Sequence, residues 1–168
     1  MNDRSVIHDT FTLERIYPAA RARVFAAFAS VESKEAWGAT SEVEPGESAT
    51  SIDEFDFRIG GRERFTVRRR GTSYRNDALY YDIVPDRRIV YSYEIYADGT
   101  RISVSVATIE FTDSRAGTTV TWTEQGVYLD GIDGAQAPVL RVGGTTELLD
   151  SLTRHLRVSP RHDDTMEV

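Results

Sequence analysis

The sequence predicts an α+β domain in which a curved antiparallel sheet closes against a long C-terminal helix, with two short helices following the first strand. Three observations predict it. Strand periodicity sets in after Gly38 and persists to Leu129, broken only by turn residues. Leu148, Leu149, Leu152 and Leu156 form a stripe with the spacing of a helix laid on a sheet. One strand pattern and two helical patches precede the long run of strands.

Taken in order, Thr10 to Tyr17 read as a strand in which Phe11, Leu13 and Ile16 are apolar, and the alternation slips near its end as a bulge would make it slip. Pro18 suits the first position of a helix over residues 19–29, whose apolar face is Val24, Phe25 and Phe28. Ser33 is the expected N-cap of a second helix ending near Trp37-Gly38. The meander breaks at Pro45-Gly46, Gly60-Gly61, Gly71-Thr72, Val84-Pro85-Asp86, Asp98-Gly99 and the Asp113–Gly117 loop. Ile89, Tyr91, Tyr93 and Ile95 alternate onto one face, as do Val120, Trp122 and Glu124, opposite the ladder Thr119, Thr121, Thr123. Between Arg101 and Phe111 both faces are apolar, so pattern alone does not choose the inward side. The last helix is expected to be established by Thr145 and to run to about Arg157, with Pro138 in its approach or first turn. The domain organisation that follows is an extension over 1–9, one domain over 10–158 and a frayed tail over 159–168.

Bulk properties narrow the function. With 40% hydrophobic and 28% charged residues the chain has the composition of a globular domain and not of a disordered one. No cysteine is present, which removes disulfides, thiolate nucleophiles and sulfur-bound zinc and makes a cytoplasmic setting the simplest expectation. The start of the chain lacks a signal-like apolar stretch and no window approaches the length of a membrane span. A net charge of −7 repels nucleic acid. The arginines at 62, 64, 68, 69, 70 and 75 are read as cross-strand partners of Asp53, Glu54 and Asp56. Neither a phosphate-binding glycine loop nor a metal-ligand spacing occurs, so no cofactor and no metal are expected.

Four segments carry a family resemblance: Arg15-Ile16-Tyr17-Pro18 leading to Val24-Phe25-Ala26-Ala27-Phe28; Phe57-Arg58-Ile59-Gly60-Gly61; Asp82 through Tyr93; and Thr123-Glu124-Gln125-Gly126 with the Leu148–Leu156 helix. In this order they resemble the START-like, or SRPBCC, superfamily, and within it the bacterial homologues of the activator of heat-shock-protein ATPase. The resemblance spans Thr10 to Leu156 and implies the helix-grip fold. It implies no single activity, since similar members bind hydrophobic ligands, cyclise polyketides, carry lipids or assist a chaperone. Many relatives place proline after the second-helix tryptophan, whereas Trp37 here is followed by Gly38-Ala39-Thr40, a departure at the cavity entrance.

The leading expectation is a cavity between sheet and terminal helix that binds an apolar or aromatic small molecule. Trp37, Phe55, Phe65, Tyr81, Tyr91, Tyr93 and Trp122 are its candidate walls, each with core packing as the competing account. Leu148 and Leu152 are expected to roof it, with His155 at the edge of their stripe. Glu124 either points into the cavity as the one catalytic candidate, a proton donor or base with a pKa raised by burial, or reaches an arginine, or lies near the sheet edge and stays wet. The alternatives are a cyclase- or hydratase-type enzyme using Glu124 or a tyrosine, and a co-chaperone-like module binding a protein partner. A homodimer is compatible with each.

Overall fold

Strand β1 (Val6–Tyr17) alternates without interruption, turning Ile7, Phe11, Leu13 and Tyr17 inward and leaving Ile16 57% exposed. The computed structural model describes residues 4–38 and 51–158. Pairing of β1 with the last strand runs without a register shift from Val6↔Leu129 to Tyr17↔Thr118. The expected bulge is therefore absent; Ile16 is a β-branched residue on the outer pleat, where such residues fit well. The strand also begins inside the expected extension, because its partner continues to Leu129 and supplies hydrogen bonds that far.

Helix α1 (Arg21–Ala29) buries Val24, Phe25, Ala27 and Phe28. It starts after Ala20 and not at Pro18, since the Ala19 amide is turned back onto the Tyr17 carbonyl at 2.8 Å. Helix α2 (Val31–Gly38) is capped by Ser30 and not Ser33: Ser30 Oγ accepts from the Ser33 amide at 3.3 Å, and its carbonyl from the Lys34 amide at 2.9 Å.

Six strands complete the sheet: β2 (Ser51–Phe55), β3 (Arg62–Arg69), β4 (Thr72–Val84), β5 (Arg88–Ala97), β6 (Thr100–Ser114) and β7 (Gly117–Leu129). Their order is β1-β7-β6-β5-β4-β3-β2, antiparallel throughout, so a meander is closed by the first strand joining the last. The turn between β6 and β7 sits hard against β1. A Cβ at Gly117, whose φ is +130°, would lie 2.2 Å from the Tyr17 carbonyl oxygen, so only glycine permits that approach. In β6 the inward side is Ser103, Ser105, Ala107, Ile109 and Phe111, and a register shift opposite Ile95/Tyr96 adds Ile102 to the buried set. The expected break at Pro45-Gly46 and the tail over 159–168 lie outside the described residues.

Among the basic cluster, Arg64 and Arg75 both reach Asp77 of β4, at 2.6 and 3.2 Å, and not the acidic residues of β2. Asp53 instead accepts from Thr66 Oγ1, and Asp56 pairs with Arg58. Solvent screens exposed pairs of this kind, so they add little to stability.

Helix α3 (Ala137–Val158) starts well before Thr145. Pro138 occupies its first turn, where a missing N–H is harmless, and the helix runs through Gly143-Gly144. Leu149 and Leu152 are fully buried and Leu156 is 7% exposed. The Tyr17 hydroxyl donates to the Leu149 carbonyl at 3.0 Å and pins the helix to β1. Truncating Leu152 to alanine is expected to cost about 2–5 kcal/mol in urea unfolding, the range for deleting a buried leucine. No helix among the described residues is long and apolar enough to cross a membrane.

Candidate functional site

The concave face of the sheet can be read in rows across the strands. One runs Tyr80–Tyr91–Ala107–Glu124, the next Glu63–Ala78–Tyr93–Ser105–Gly126, and a third Phe65–Asn76–Ile95–Ser103–Tyr128. Toward α1 and α2 the gap above the sheet is filled. Phe25 and Phe28 set their edges against Phe111 at 5.4 and 5.3 Å, Phe28 meets Trp37 at 4.9 Å and Phe57 meets Tyr80 at 5.1 Å. The void remaining beside Tyr80 and Ile89 is about 10 Å³, no more than one water.

Toward α3 the gap is open, and a recess of about 200 Å³ lies between the helix and the second and third rows. Its walls are Phe65, Ala78, Tyr91, Tyr93, Ile95 and Trp122 on the sheet side and Leu140, Gly144, Thr145 and Leu148 on the helix. Two features make the room. Ala78 is a small side chain in the middle of its row, and at Gly144 an added Cβ would meet nothing within 4 Å.

One end of the recess is built around Arg141. Its Nη1 group lies 2.8 Å from Tyr93 Oη, 2.9 Å from Ser105 Oγ and 2.9 Å from Glu124 Oε1, and Nη2 donates to Ser103 Oγ at 2.6 Å. Glu124 is fully buried; Tyr93 donates to its Oε1 at 2.6 Å and the Trp122 indole to its Oε2 at 3.3 Å. The arginine-pairing reading of Glu124 is thus the one realised, with both carboxylate oxygens engaged. Burial works against the Arg141 charge, but the Tyr93 oxygen and the Glu124 carboxylate outweigh it and hold its pKa above the ordinary arginine value. Burial pushes the Tyr93 phenol well above its usual range despite the pull of Arg141, and does the same to Tyr91. Both hydroxyls therefore present themselves as protonated groups at neutral pH.

A second polar group stands on the β3 side. Glu63, 4% exposed, accepts from Lys34 Nζ at 3.0 Å and from the Tyr80 hydroxyl. Lys34 comes from α2 and lines the recess together with Glu63. Burial, reinforced by Glu63, raises the Tyr80 phenol far above its usual range.

Of the candidate walls, Phe65, Tyr91, Tyr93, Trp122 and Leu148 come together around the recess, and Glu124 lies directly behind it. The others do not. Tyr81 is 57% exposed: a register shift between Tyr80 and Asp82 turns it outward and gives the inward place to Tyr80. Trp37 is a core residue whose indole donates to the Ala27 carbonyl at 2.8 Å. Phe55 stacks on Phe57 at 6.2 Å, and Leu152 is packed in the core beneath the helix. His155 is half-buried away from the recess, and burial with Arg23 nearby lowers its pKa. Among the described residues no three acidic or histidine side chains converge as a metal-binding group.

Arg141, Lys34 and Glu63 were not among the sequence candidates. Stepping back from Leu152 through Leu148, Thr145 and Arg141 follows one helical face, so the signal for Arg141 existed, but it lay upstream of the expected helix start. Glu63 shares a strand face with Phe65, a signal masked by the arginines on either side.

Known structures resemble this one closely. A putative uncharacterized protein from Rhizobium leguminosarum is 39% identical with a TM-score of 0.82, over 94% of this chain and 99% of its own. The Mll3558 protein from Rhizobium loti is 42% identical with a TM-score of 0.75, over 90% of this chain and 99% of its own. A Chromobacterium violaceum protein at 22% identity, with a TM-score of 0.73 over 89% of this chain and 98% of its own, shares the fold. No match is found among curated proteins. The family model described as "Activator of Hsp90 ATPase homolog 1-like protein" matches residues 18–157, and the chain belongs to that family.

Proposed function

We propose that the chain binds an apolar or aromatic small molecule in the recess between the sheet and α3. One observation carries this reading: a gap of about 200 Å³ with aromatic and aliphatic walls is left beside the filled core region around Phe28, Tyr80 and Ile89. Interiors normally pack to crystal-like density, so apolar walls around empty space mark a binding site more readily than a core. Asn76 and the Arg141 end of the recess would orient a guest. The lack of cysteine fits a cytoplasmic setting for this role.

Glu124 serves this reading as a structural carboxylate that holds Arg141 and Tyr93 in place, and not as an acid or base toward a ligand. Titration with 2-naphthol, followed by tryptophan fluorescence, tests the proposal alongside native mass spectrometry of gently purified protein. Replacing Ala78 with Phe fills the recess, and is expected to weaken 2-naphthol binding by at least about tenfold, or 1.4 kcal/mol. Equal binding by Ala78→Phe, or none by the wild type, would remove the basis of the proposal. The family description favours a second reading, a chaperone partner bound by an outer surface. Retention of a purified chaperone by Ala78→Phe as well as by the wild type would support it, because the recess would then be irrelevant.

A further inference from the structure

We infer that the recess selects an uncharged compound of one or two rings bearing a hydrogen-bonding substituent at each end. The inference rests on the small-molecule reading above and adds the charge and shape of the guest.

Charge comes first. Two ionic groups border the recess, and each is cancelled inside the protein: Arg141 by Glu124 at 2.9 Å, and Lys34 by Glu63 at 3.0 Å. Both carboxylates are almost wholly removed from water, at 0% and 4% exposure, and the Arg141 and Lys34 side chains keep only 10% and 17%. A carboxylate or ammonium on the guest would have to lose its hydration without finding a free counter-charge. Such a transfer is strongly unfavourable unless a partner is waiting. Lys34 is the single lysine among twenty basic residues, and it is spent on this internal pair.

Polarity comes second. Between the two pairs stands Asn76, whose side-chain amide lines the recess and has no partner among the described residues. An amide offers a donor and an acceptor at once, which suits hydroxyl or carbonyl groups and not a net charge. The Tyr91 and Tyr93 rings line the same wall, and the Tyr93 hydroxyl is already engaged by Glu124 and Arg141.

Dimension comes third. Glu63 and Ser105 occupy the same row of the sheet on β3 and β6, with Ala78 and Tyr93 between them. Three strand spacings of about 4.8 Å separate them by roughly 14 Å along the sheet, and the side chains at both ends shorten the usable length. A closed apolar cavity of about 150 Å³ accommodates benzene, so a recess of about 200 Å³ that is open on one side has room for a substituted ring or a compact bicycle.

The test is a matched naphthalene series measured by calorimetry: naphthalene-2,6-diol, naphthalene itself, 6-hydroxy-2-naphthoate and 2-naphthylmethylammonium. The diol is expected to bind at least about tenfold more tightly than either ion and more tightly than naphthalene. Glu63→Gln leaves Lys34 unbalanced and is expected to move the preference toward the naphthoate. Lys34→Met leaves Glu63 unbalanced and is expected to move it toward the ammonium. The two variants pull in opposite directions, so a general loosening of the fold cannot imitate the result, and if one variant fails to fold the other still decides. A wild type that prefers either ion, or variants that keep the wild-type ranking, would overturn the charge rule while leaving small-molecule binding intact. Failure of all four compounds to bind would overturn both.

Discussion

Replacing Arg141 with Met is expected to destabilise the domain by about 3–5 kcal/mol, the range seen when one member of a buried ion pair is removed. The cause lies in what is left behind. Glu124 has no exposure to solvent, and without Arg141 its remaining donors would be the Tyr93 hydroxyl at 2.6 Å and the Trp122 indole at 3.3 Å. Ser103 and Ser105, also buried, would lose their guanidinium partner. The double replacement Arg141→Met with Glu124→Gln removes the stranded charge and is expected to regain most of the loss. Urea unfolding of the two single variants and the double variant closes the cycle. A double variant no more stable than Arg141→Met would show that the charge pair is not the source of the effect.

The second large effect is expected in alkali. Tyr17, Tyr80 and Tyr93 are 0%, 3% and 6% exposed, and burial raises all three phenols above their ordinary value of 10.0. The sign follows from linkage. Above pH 10 the unfolded chain releases these protons while the folded chain keeps them, so the folded state binds more protons and stability falls as pH rises. The contribution is fully present below the unfolded value and is lost on the way up to the folded ones. Each group approaches about 1.4 kcal/mol per pH unit, which for these three and the likewise raised Tyr91 comes to about 4 kcal/mol between pH 10 and 11. Unfolding midpoints across that interval measure it, and Tyr17→Phe is expected to reduce the slope by about one quarter. A flat profile would mean that these hydroxyls ionise as readily inside as outside.

Much of the fold was legible because a half-buried sheet writes its faces into the sequence with period two. Ile89, Tyr91, Tyr93 and Ile95 sit on the inner face as their alternation requires, and so do Val120, Trp122 and Glu124. The leucine stripe likewise found its helix and its buried side. Failures cluster where alternation is locally broken or outweighed. Tyr81 was misplaced because a single extra residue between paired positions reverses which side chain faces in, and nothing in Leu79-Tyr80-Tyr81-Asp82 marks the spot. Strand β6 was unreadable because its inner side carries Ser103 and Ser105, polar residues that make sense only once Arg141 is known to bind them. The start of α3 was missed because Gly143-Gly144 lowers intrinsic helix propensity by roughly 1 kcal/mol per residue, a cost that docking on the sheet overcomes. That one misplacement hid Arg141, and with it the polar end of the site.

The union of the first strand with the last has a consequence for how the molecule comes into being. Thr12 meets Thr123 across 111 positions of sequence, and every hydrogen bond that β1 makes to the sheet is of this distant kind. As the chain leaves the ribosome, hairpins from β3 onward can zip up in turn, while β1 has no strand to join until β7 has emerged. The pairing of β1 with β7 must therefore form late, slowing maturation relative to a helical protein of equal size and leaving β1 unpaired and partly apolar in the nascent chain until then.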